Sequence, residues 1–169
     1  MLVTGLVDEG KSDSATQMVA CIQMHTGKEL WRRRLCQVNA HEDVRTPGAV
    51  VADDRVMMGS ADGVFYALDI EDGSVRWKHR TGPSLLKLTS RTGDSPARIT
   101  ARAIVSEKVV YFGGYDGVLT AFDVGPGKKL FTRQLGMPIV DDPVISGNTL
   151  LVPTCDGLLF WFTPTAAAR

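Results

Sequence analysis

A repeated pattern of residues restricts the fold of this chain more than any other feature. Three segments align without a gap: Ala49–Asp69, Ala103–Asp123 and Pro143–Thr163. Each carries an Asp-Gly pair at the same place, beginning at Asp62, Asp116 and Asp156. Successive pairs are separated by 54 and then 40 residues, so the basic period is about 40 residues with insertions. Such a period is typical of architectures in which each unit buries its apolar surface against the next one.

The sequence pattern of each unit predicts short β-strands joined by tight turns. The first strand is expected at Val50–Ala52 and its equivalents. The second is expected at Val56–Met58, Val109–Phe112 and Leu150–Val152. The third follows the Asp-Gly turn, at Val64–Leu68, Val118–Phe122 and Leu158–Phe162. The fourth is expected at Val75–His79 and Lys129–Gln134. Many of these strands are nearly continuous apolar runs, which is typical of small sheets that are covered on both faces.

A more divergent copy precedes these three. Leu2–Thr4 is predicted to be its second strand and Val19–Gln23 its third. The sequence therefore predicts an all-β fold, a β-propeller of about four four-stranded antiparallel blades that form an open arc. The first blade is expected to lack its innermost strand and the last blade its outermost strand. The approximate blade bounds are 1–36, 49–80, 101–135 and 142–163.

A second conserved spacing follows the third strand of each copy. Gly73 and Trp77 match Gly127 and Phe131, and an earlier copy has Gly27 and Trp31. With Ala67 and Asp69, and again with Ala121 and Asp123, these residues form Ala-x-Asp, then Gly, then an aromatic residue. The pattern resembles the tryptophan-docking signature of the pyrroloquinoline-quinone-like (PQQ-like) repeat family. The first copy departs from it, with Cys21 and Gln23 in place of Ala and Asp.

The resemblance implies structural roles for the repeated aromatic residues and glycines. Trp31, Trp77 and Phe131 would lie on outer strands and wedge between neighbouring blades. Gly27, Gly73 and Gly127 would supply turns with positive φ and leave room for the aromatic ring. Propellers of this family have seven or eight blades, so a partner or the remaining blades of a longer chain would complete the ring. A homo-oligomer that completes it is an alternative. The resemblance also points to the bacterial periplasm or cell envelope, while the sequence leaves the compartment open.

The composition excludes some partners. Lys plus Arg and Asp plus Glu both count 19, so no net positive charge attracts nucleic acid. The dense positive run, Arg32–Arg34, is interpreted as a solvated edge strand. No apolar stretch is long enough to span a bilayer, and the N-terminal residues do not resemble a signal peptide. Three cysteines without zinc spacing, Cys21, Cys36 and Cys155, are expected to be packed and inert.

Three long insertions are expected on one face of the propeller. They are Leu6–Gln17, Gln37–Gly48 and Thr81–Thr100, and long loops on a rigid scaffold commonly carry binding residues. The candidates for binding a partner are the charged residues and the histidine of the last two loops. They are His41, Glu42, Asp43, Arg45, Lys87, Arg91, Asp94 and Arg98. Adjacent residues such as His41, Glu42 and Asp43 rarely converge on one ion, so no metal site is predicted.

Two functions remain open at this point. The first is a non-catalytic propeller that acts as a protein-interaction scaffold and needs no cofactor. The alternative, which the resemblance implies, is part of a quinoprotein alcohol or sugar dehydrogenase that holds PQQ and calcium. No catalytic residue is predicted, because no nucleophile motif, phosphate-binding loop or HExxH motif occurs in the sequence. The sequence also lacks the adjacent cysteines that clamp the quinone in many members of the family.

Overall fold

The protein is described by a computed structural model that covers residues 2–8, 14–39, 45–86 and 96–163. Side chains are described for 14–38, 45–86 and 96–163. These residues form fourteen strands and no helix. The strands are β1 Leu2–Asp8, β2 Ser14–Ile22, β3 Glu29–Asn39, β4 Val50–Ala52, β5 Arg55–Gly59, β6 Val64–Asp69, β7 Val75–Arg80, β8 Ile104–Ser106, β9 Val109–Phe112, β10 Val118–Asp123, β11 Lys129–Gln134, β12 Val144–Ser146, β13 Thr149–Pro153 and β14 Leu159–Phe162.

The strands form four separate antiparallel sheets, which we call blades 1 to 4. Blade 1 has the order β1-β2-β3, blade 2 β4-β5-β6-β7, blade 3 β8-β9-β10-β11 and blade 4 β12-β13-β14. Each strand pairs with its neighbour in the sequence, so every blade is a simple meander. The predicted all-β propeller with an open arc of blades is therefore confirmed. Within the described residues the first and last sheets have three strands, and the middle two have four.

The apolar core lies between the blades, in three separate layers. The layer between blades 1 and 2 contains Val19, Val56, Met58 and Leu68. Between blades 2 and 3 lie Met57, Phe65, Ile99, Phe112, Phe122 and others. Between blades 3 and 4 lie Leu119, Ile139, Leu150 and Val152. Each middle blade buries both of its faces, which explains why its strands are almost continuously apolar in sequence.

The first insertion predicted from the sequence is wrong in extent. Most of Leu6–Gln17 is strand, because β1 continues to Asp8 and β2 begins at Ser14. The second predicted insertion also begins late, since β3 continues to Asn39. Gln17, the last residue of the first predicted insertion, is completely buried. Its amide donates to the Gly59 carbonyl over 3.2 Å and accepts from the Ala61 N–H over 2.8 Å, so it binds blade 1 to blade 2.

The two tryptophans of the repeat lie at the blade interfaces. The Trp31 indole donates to the Ile70 carbonyl of blade 2 over 2.9 Å, and the Trp77 indole donates to the Val124 carbonyl of blade 3 over 3.0 Å. Each ring lies over the glycine of the following unit: a Cβ on Gly73 would be 2.6 Å from Trp31 Cε3. Gly73 has a φ of 70°, in the left-handed region that favours glycine. Aromatic residue and glycine therefore pair between consecutive units, not within one unit.

Candidate functional site

The candidate surface is the face of the propeller where the Asp-Gly turns and the connections between blades emerge. The connection from blade 2 to blade 3 leaves beside the Asp-Gly turn of blade 2. There the Thr81 hydroxyl donates to the Gly63 carbonyl over 3.0 Å and to the Ala97 carbonyl over 2.7 Å. A β-bridge between Pro83 and Pro96 closes the stem of this connection. The two ends of the predicted Thr81–Thr100 insertion are thus fixed to the scaffold.

The predicted binding residues fall on this connection and the one before it. Arg45 is exposed ahead of β4. Arg98 is half-buried, and its carbonyl accepts the Tyr115 N–H over 3.0 Å. The other six candidates, His41, Glu42, Asp43, Lys87, Arg91 and Asp94, lie outside the described residues. Their role stays a prediction.

The returning end of each connection is part of the core. Ile99 is completely buried over Gly59, and Ile139 is completely buried over Gly113. The Ile99 N–H donates to the Ser60 carbonyl over 3.2 Å, and the Ile139 N–H donates to the Gly114 carbonyl over 3.0 Å. These equivalent contacts hold the returning end of each connection against the blade that it leaves.

The Asp-Gly turns differ from blade to blade in the partner of their carboxylate. In blade 2 the Ser60 hydroxyl donates to Asp62, and in blade 4 the Thr154 hydroxyl donates to Asp156 over 2.7 Å. In blade 3 the equivalent residue is Gly114, which has no hydroxyl. The Asp116 carboxylate instead accepts the N–H of Gly82, from the connection between blades 2 and 3, over 3.1 Å. It also accepts the Val118 N–H over 3.2 Å.

A groove of about 440 Å³ opens beside Asp116, between the outer strands of blades 2 and 3. Its lining comes from β7, the start of the following connection, and blade 3. The side chains that matter for its chemistry are His79, Phe112, Asp116, Thr120, Thr132 and Gln134. The imidazole of His79 is 5.0 Å from the Phe122 ring and 6.2 Å from the Phe112 ring, centroid to centroid. We call this the interblade groove.

Burial shifts the pKa values of Asp116 and His79 in the interblade groove, each in the direction that disfavours the charged form. It raises the pKa of Asp116 above its ordinary value, although the N–H groups of Val118 and Gly82 work against the rise. Burial lowers the pKa of His79, and the nearby Lys129 lowers it further. The groove therefore combines a shielded carboxylate with an uncharged imidazole at neutral pH. Neither residue was predicted from the sequence as a site residue; the signal for Asp116 was the loss of the hydroxyl at Gly114.

A second groove, of about 620 Å³, follows the innermost strands. Its polar side chains are Arg102 and Asp142, whose guanidinium Nε and carboxylate Oδ2 are 3.6 Å apart. The backbone N–H of Arg102 also donates to Asp142 Oδ1 over 2.6 Å. The rest of its lining is formed by apolar residues of β4, β8 and β12 and their neighbours. Calcium takes six to eight oxygen ligands. Because Asp142 is the single carboxylate in the lining of this groove, its described residues do not fit a calcium site.

The described residues contain no group of three or more His, Cys, Asp or Glu side chains that could hold a metal ion. Cys21 and Cys36 are half-buried, and burial raises the pKa of the Cys36 thiol. The prediction of packed cysteines is wrong for Cys155, which is exposed because it lies in the turn before β14.

The run Arg32–Arg34 lies on β3, an edge strand, as expected, and Arg33 donates to the Gly73 carbonyl over 2.9 Å. No helix in the described part of the chain is long and apolar enough to cross a membrane.

Comparison with known proteins relates this fold to two kinds of propeller. Residues 8–99 match the family model of the outer membrane protein assembly factor BamB. BamB of Burkholderia pseudomallei is 28% identical over 148 residues, which are 86% of this chain and 33% of that protein. The quinohemoprotein alcohol dehydrogenase ADH IIB of Pseudomonas putida is 30% identical over 115 residues, 65% of this chain and 16% of that enzyme.

The fold comparison agrees with the sequence comparison. The crystal structure of BamB from Moraxella catarrhalis superposes with a TM-score of 0.65 at 22% identity, over 94% of this chain and 45% of that one. The chain spans about a third of the length of the BamB relative from Burkholderia, 33%. Any activity or partner of the whole relatives is therefore a proposal for this chain.

Proposed function

The chain belongs to the PQQ-like propeller repeat family whose model is that of the assembly factor BamB, and from this premise we propose that it is a non-catalytic propeller segment that binds a protein partner. The binding surface would be the face that carries the Asp-Gly turns and the connections between blades. Members of this family include a named assembly factor and named dehydrogenases, so membership alone does not select the function. The geometry of this face supports the proposal.

The observation that carries the proposal is the fixed stem of the connection between blades 2 and 3. Hydrogen bonds from Thr81 and the bridge between Pro83 and Pro96 fix the described stem of this connection, and Pro83 lines the interblade groove. A rigid scaffold that presents an inserted segment next to a groove is a common arrangement for recognition of another protein. The opposite face carries short turns, such as Asp53-Asp54 and Glu107-Lys108, which offer less surface.

Site-specific photo-crosslinking tests this proposal. A photoreactive phenylalanine would replace Arg45 or Met137 on the proposed face, and Glu71 or Lys108 on the opposite face; all four side chains are exposed. We expect discrete crosslinks to another protein from the first two positions and none from the control pair. The same yield from both faces, or none from either, would contradict the proposal.

The second candidate is a segment of a PQQ- and calcium-dependent quinoprotein dehydrogenase. The observation that favours it is the 30% identity to the quinohemoprotein alcohol dehydrogenase of Pseudomonas putida. The single carboxylate of the groove along the innermost strands, Asp142, speaks against it, because that carboxylate already pairs with Arg102. The full-length protein should be incubated with PQQ and calcium and assayed for dye reduction by alcohols and sugars. Turnover would replace the scaffold proposal with this one.

A further inference from the structure

The interblade groove exists because blade 3 departs from its neighbours at one position of the repeat. Tyr66 in blade 2 and Phe160 in blade 4 correspond to Thr120 in blade 3. The Tyr66 hydroxyl reaches the Leu35 carbonyl of the preceding blade, 3.5 Å away, so this large side chain occupies the equivalent space between blades 1 and 2. Thr120 is too short to do so. The difference leaves a space of about 440 Å³ between blades 2 and 3.

The carboxylate at the end of this space is shielded and lacks a cationic partner among the described residues. Asp116 is 8% exposed and accepts two backbone N–H groups, from Gly82 and Val118. Each carboxylate oxygen retains capacity for a further donor. In blade 2, by contrast, the Asp62 carboxylate is 3.7 Å from the Arg80 guanidinium. Arg80 also lines the groove, but it donates to the Asp62 carbonyl over 3.0 Å and is directed towards that turn.

The walls of the interblade groove suit a planar cation. The half-buried His79 ring contributes to the lining next to the carboxylate, whereas the Phe112 ring is 1% exposed and stacks on Phe65 at 3.9 Å. The hydroxyls of Thr120 and Thr132 add hydrogen-bond acceptors. A guanidinium group is planar, so it stacks on aromatic faces and presents a fork of N–H donors to a carboxylate. An ammonium group lacks this planar fork. The charge of such a group would also compensate the buried carboxylate, which otherwise carries a desolvation cost.

We propose that the interblade groove receives an arginine side chain of the protein partner, with the Asp116 carboxylate as its counter-ion. This inference rests on the proposed function and names the chemistry of the partner that the function requires. The His79 ring flanks the guanidinium, and Thr120 provides the space. A lysine side chain would bind more weakly, because it lacks the planar fork.

The inference can be tested on the protein with a small probe. Ethylguanidinium chloride would be titrated while the amide resonances of Gly82, Leu85 and Tyr115 are followed by NMR; N-ethylurea, which has a similar shape and no charge, is the control. We expect saturable shifts with ethylguanidinium and none with N-ethylurea. Asp116→Asn and Thr120→Tyr should each weaken binding by at least about tenfold, because the first removes the buried counter-charge and the second fills the space. Asp156→Asn, in the equivalent turn of blade 4, should leave binding unchanged.

Thr120→Tyr protects the experiment against a trivial loss of folding. Tyrosine already occupies this position in blade 2, so the variant should keep the wild-type circular dichroism spectrum and thermal midpoint. Equal shifts with both probes, or undiminished binding to folded Thr120→Tyr, would overturn the inference. The crosslinks from Arg45 and Met137 separate the two proposals. If they persist at full yield in Thr120→Tyr, the groove assignment fails while the scaffold function stands; if they are absent from the wild type, the function fails first.

Discussion

The interfaces on the two sides of blade 3 differ in how an aromatic residue of the outer strand is received. Between blades 2 and 3, Trp77 stacks on Phe122 at 5.3 Å, donates to the Val124 carbonyl and lies over Gly127. On the side of blade 4, the equivalent Phe131 is 40% exposed, and its ring contact among the described residues is a tilted one at 6.2 Å with Tyr111 of its own blade.

The residues that receive Trp77 come from the next blade. Val124 and Gly127 belong to the turn that follows the third strand of blade 3. The corresponding positions of blade 4, 164 and 167, lie outside the described residues. Trp77 is therefore held by the turn of the next blade. The comparison teaches that each interface is closed by residues of two repeats.

The largest effect is expected from removing the docked indole. Trp77→Ala should lower the free energy of unfolding by about 3–5 kcal/mol, because it opens a cavity between blades and leaves the Val124 carbonyl without its donor. Phe131→Ala should cost about 1 kcal/mol, since the ring is already partly in solvent. Urea denaturation of both variants measures the difference. Equal losses would mean that the two interfaces are not distinguished by docking.

A smaller loss is expected from filling the space under the indole. A Cβ on Gly127 would lie 2.7 Å from Trp77 Cδ1, and Gly127 has a φ of 67°. Gly127→Ala should therefore cost about 2–4 kcal/mol, from overpacking and from the left-handed backbone together. The matched control is Gly147→Ala, whose φ is 56° but whose Cβ would meet nothing within 4 Å. A loss of about 1–2 kcal/mol there, from the backbone alone, isolates the contribution of the contact.

The carboxylate of the docking motif should make the stability of blade 2 depend on pH. The Arg76 guanidinium, followed by the Glu71 N–H, lowers the pKa of Asp69 below its ordinary value near 3.8. Because the folded pKa lies below the unfolded one, the stabilisation is present above about pH 4 and is lost as the pH falls further. Asp69→Asn should thus lower the thermal midpoint at pH 7, with a difference that shrinks in acid.

The same substitution in blade 3 provides the comparison. Asp123 occupies the position of Asp69, but Leu130 stands where blade 2 has Arg76. Its carboxylate accepts the Gly125 N–H over 3.1 Å, and an asparagine oxygen can still accept that bond. Asp123→Asn should have little effect on the midpoint at either pH. A loss as large as that of Asp69→Asn would contradict the role given to Arg76.

The smallest effect concerns the imidazole beside the docked tryptophan. Burial lowers the pKa of His79 below its unfolded value near 6.5, so stability should fall as the pH drops from about 6.5 towards the folded pKa. His79→Phe keeps a ring against Phe112 and Phe122 and removes the titration. Thermal midpoints of the wild type and the variant should be measured from pH 7 to pH 5. They should be most similar near pH 7, and the wild-type midpoint should fall relative to that of the variant towards pH 5. Parallel curves would show that His79 does not titrate in this interval.

Much of the fold was predictable because the repeat compares the chain with itself. The strands Val50–Ala52, Val109–Phe112 and Lys129–Gln134 are found at the predicted bounds. The divergent first copy was harder to interpret, since a long insertion was predicted where β1 and β2 occupy most of the segment. Gln17 shows why: a buried amide is compatible with a strand when another blade supplies its hydrogen-bond partners. Those partners are 42 and 44 residues away and could not be inferred from the local sequence.

The candidate site was less predictable than the fold. Inserted length indicated a candidate face, but six of the eight predicted binding residues lie outside the described residues. The interblade groove depends on two departures from the repeat, at Gly114 and Thr120, whose common effect becomes visible only when two blades are placed side by side. Asp116 was recognised as a turn residue. Its second role, as acceptor for Gly82 of the preceding connection, is a contact between units.

The sequence by itself determined the unit of this protein: its strand order, its Asp-Gly turns and its aromatic and glycine positions follow from local periodicity and backbone preference. The tertiary structure decided the pairing between units. Trp31 packs over Gly73 and Trp77 over Gly127, and Asp116 meets the connection that precedes its own blade. The physical reason is that the core lies between sheets, so the contacts that bury apolar surface and shield charge join residues of different repeats.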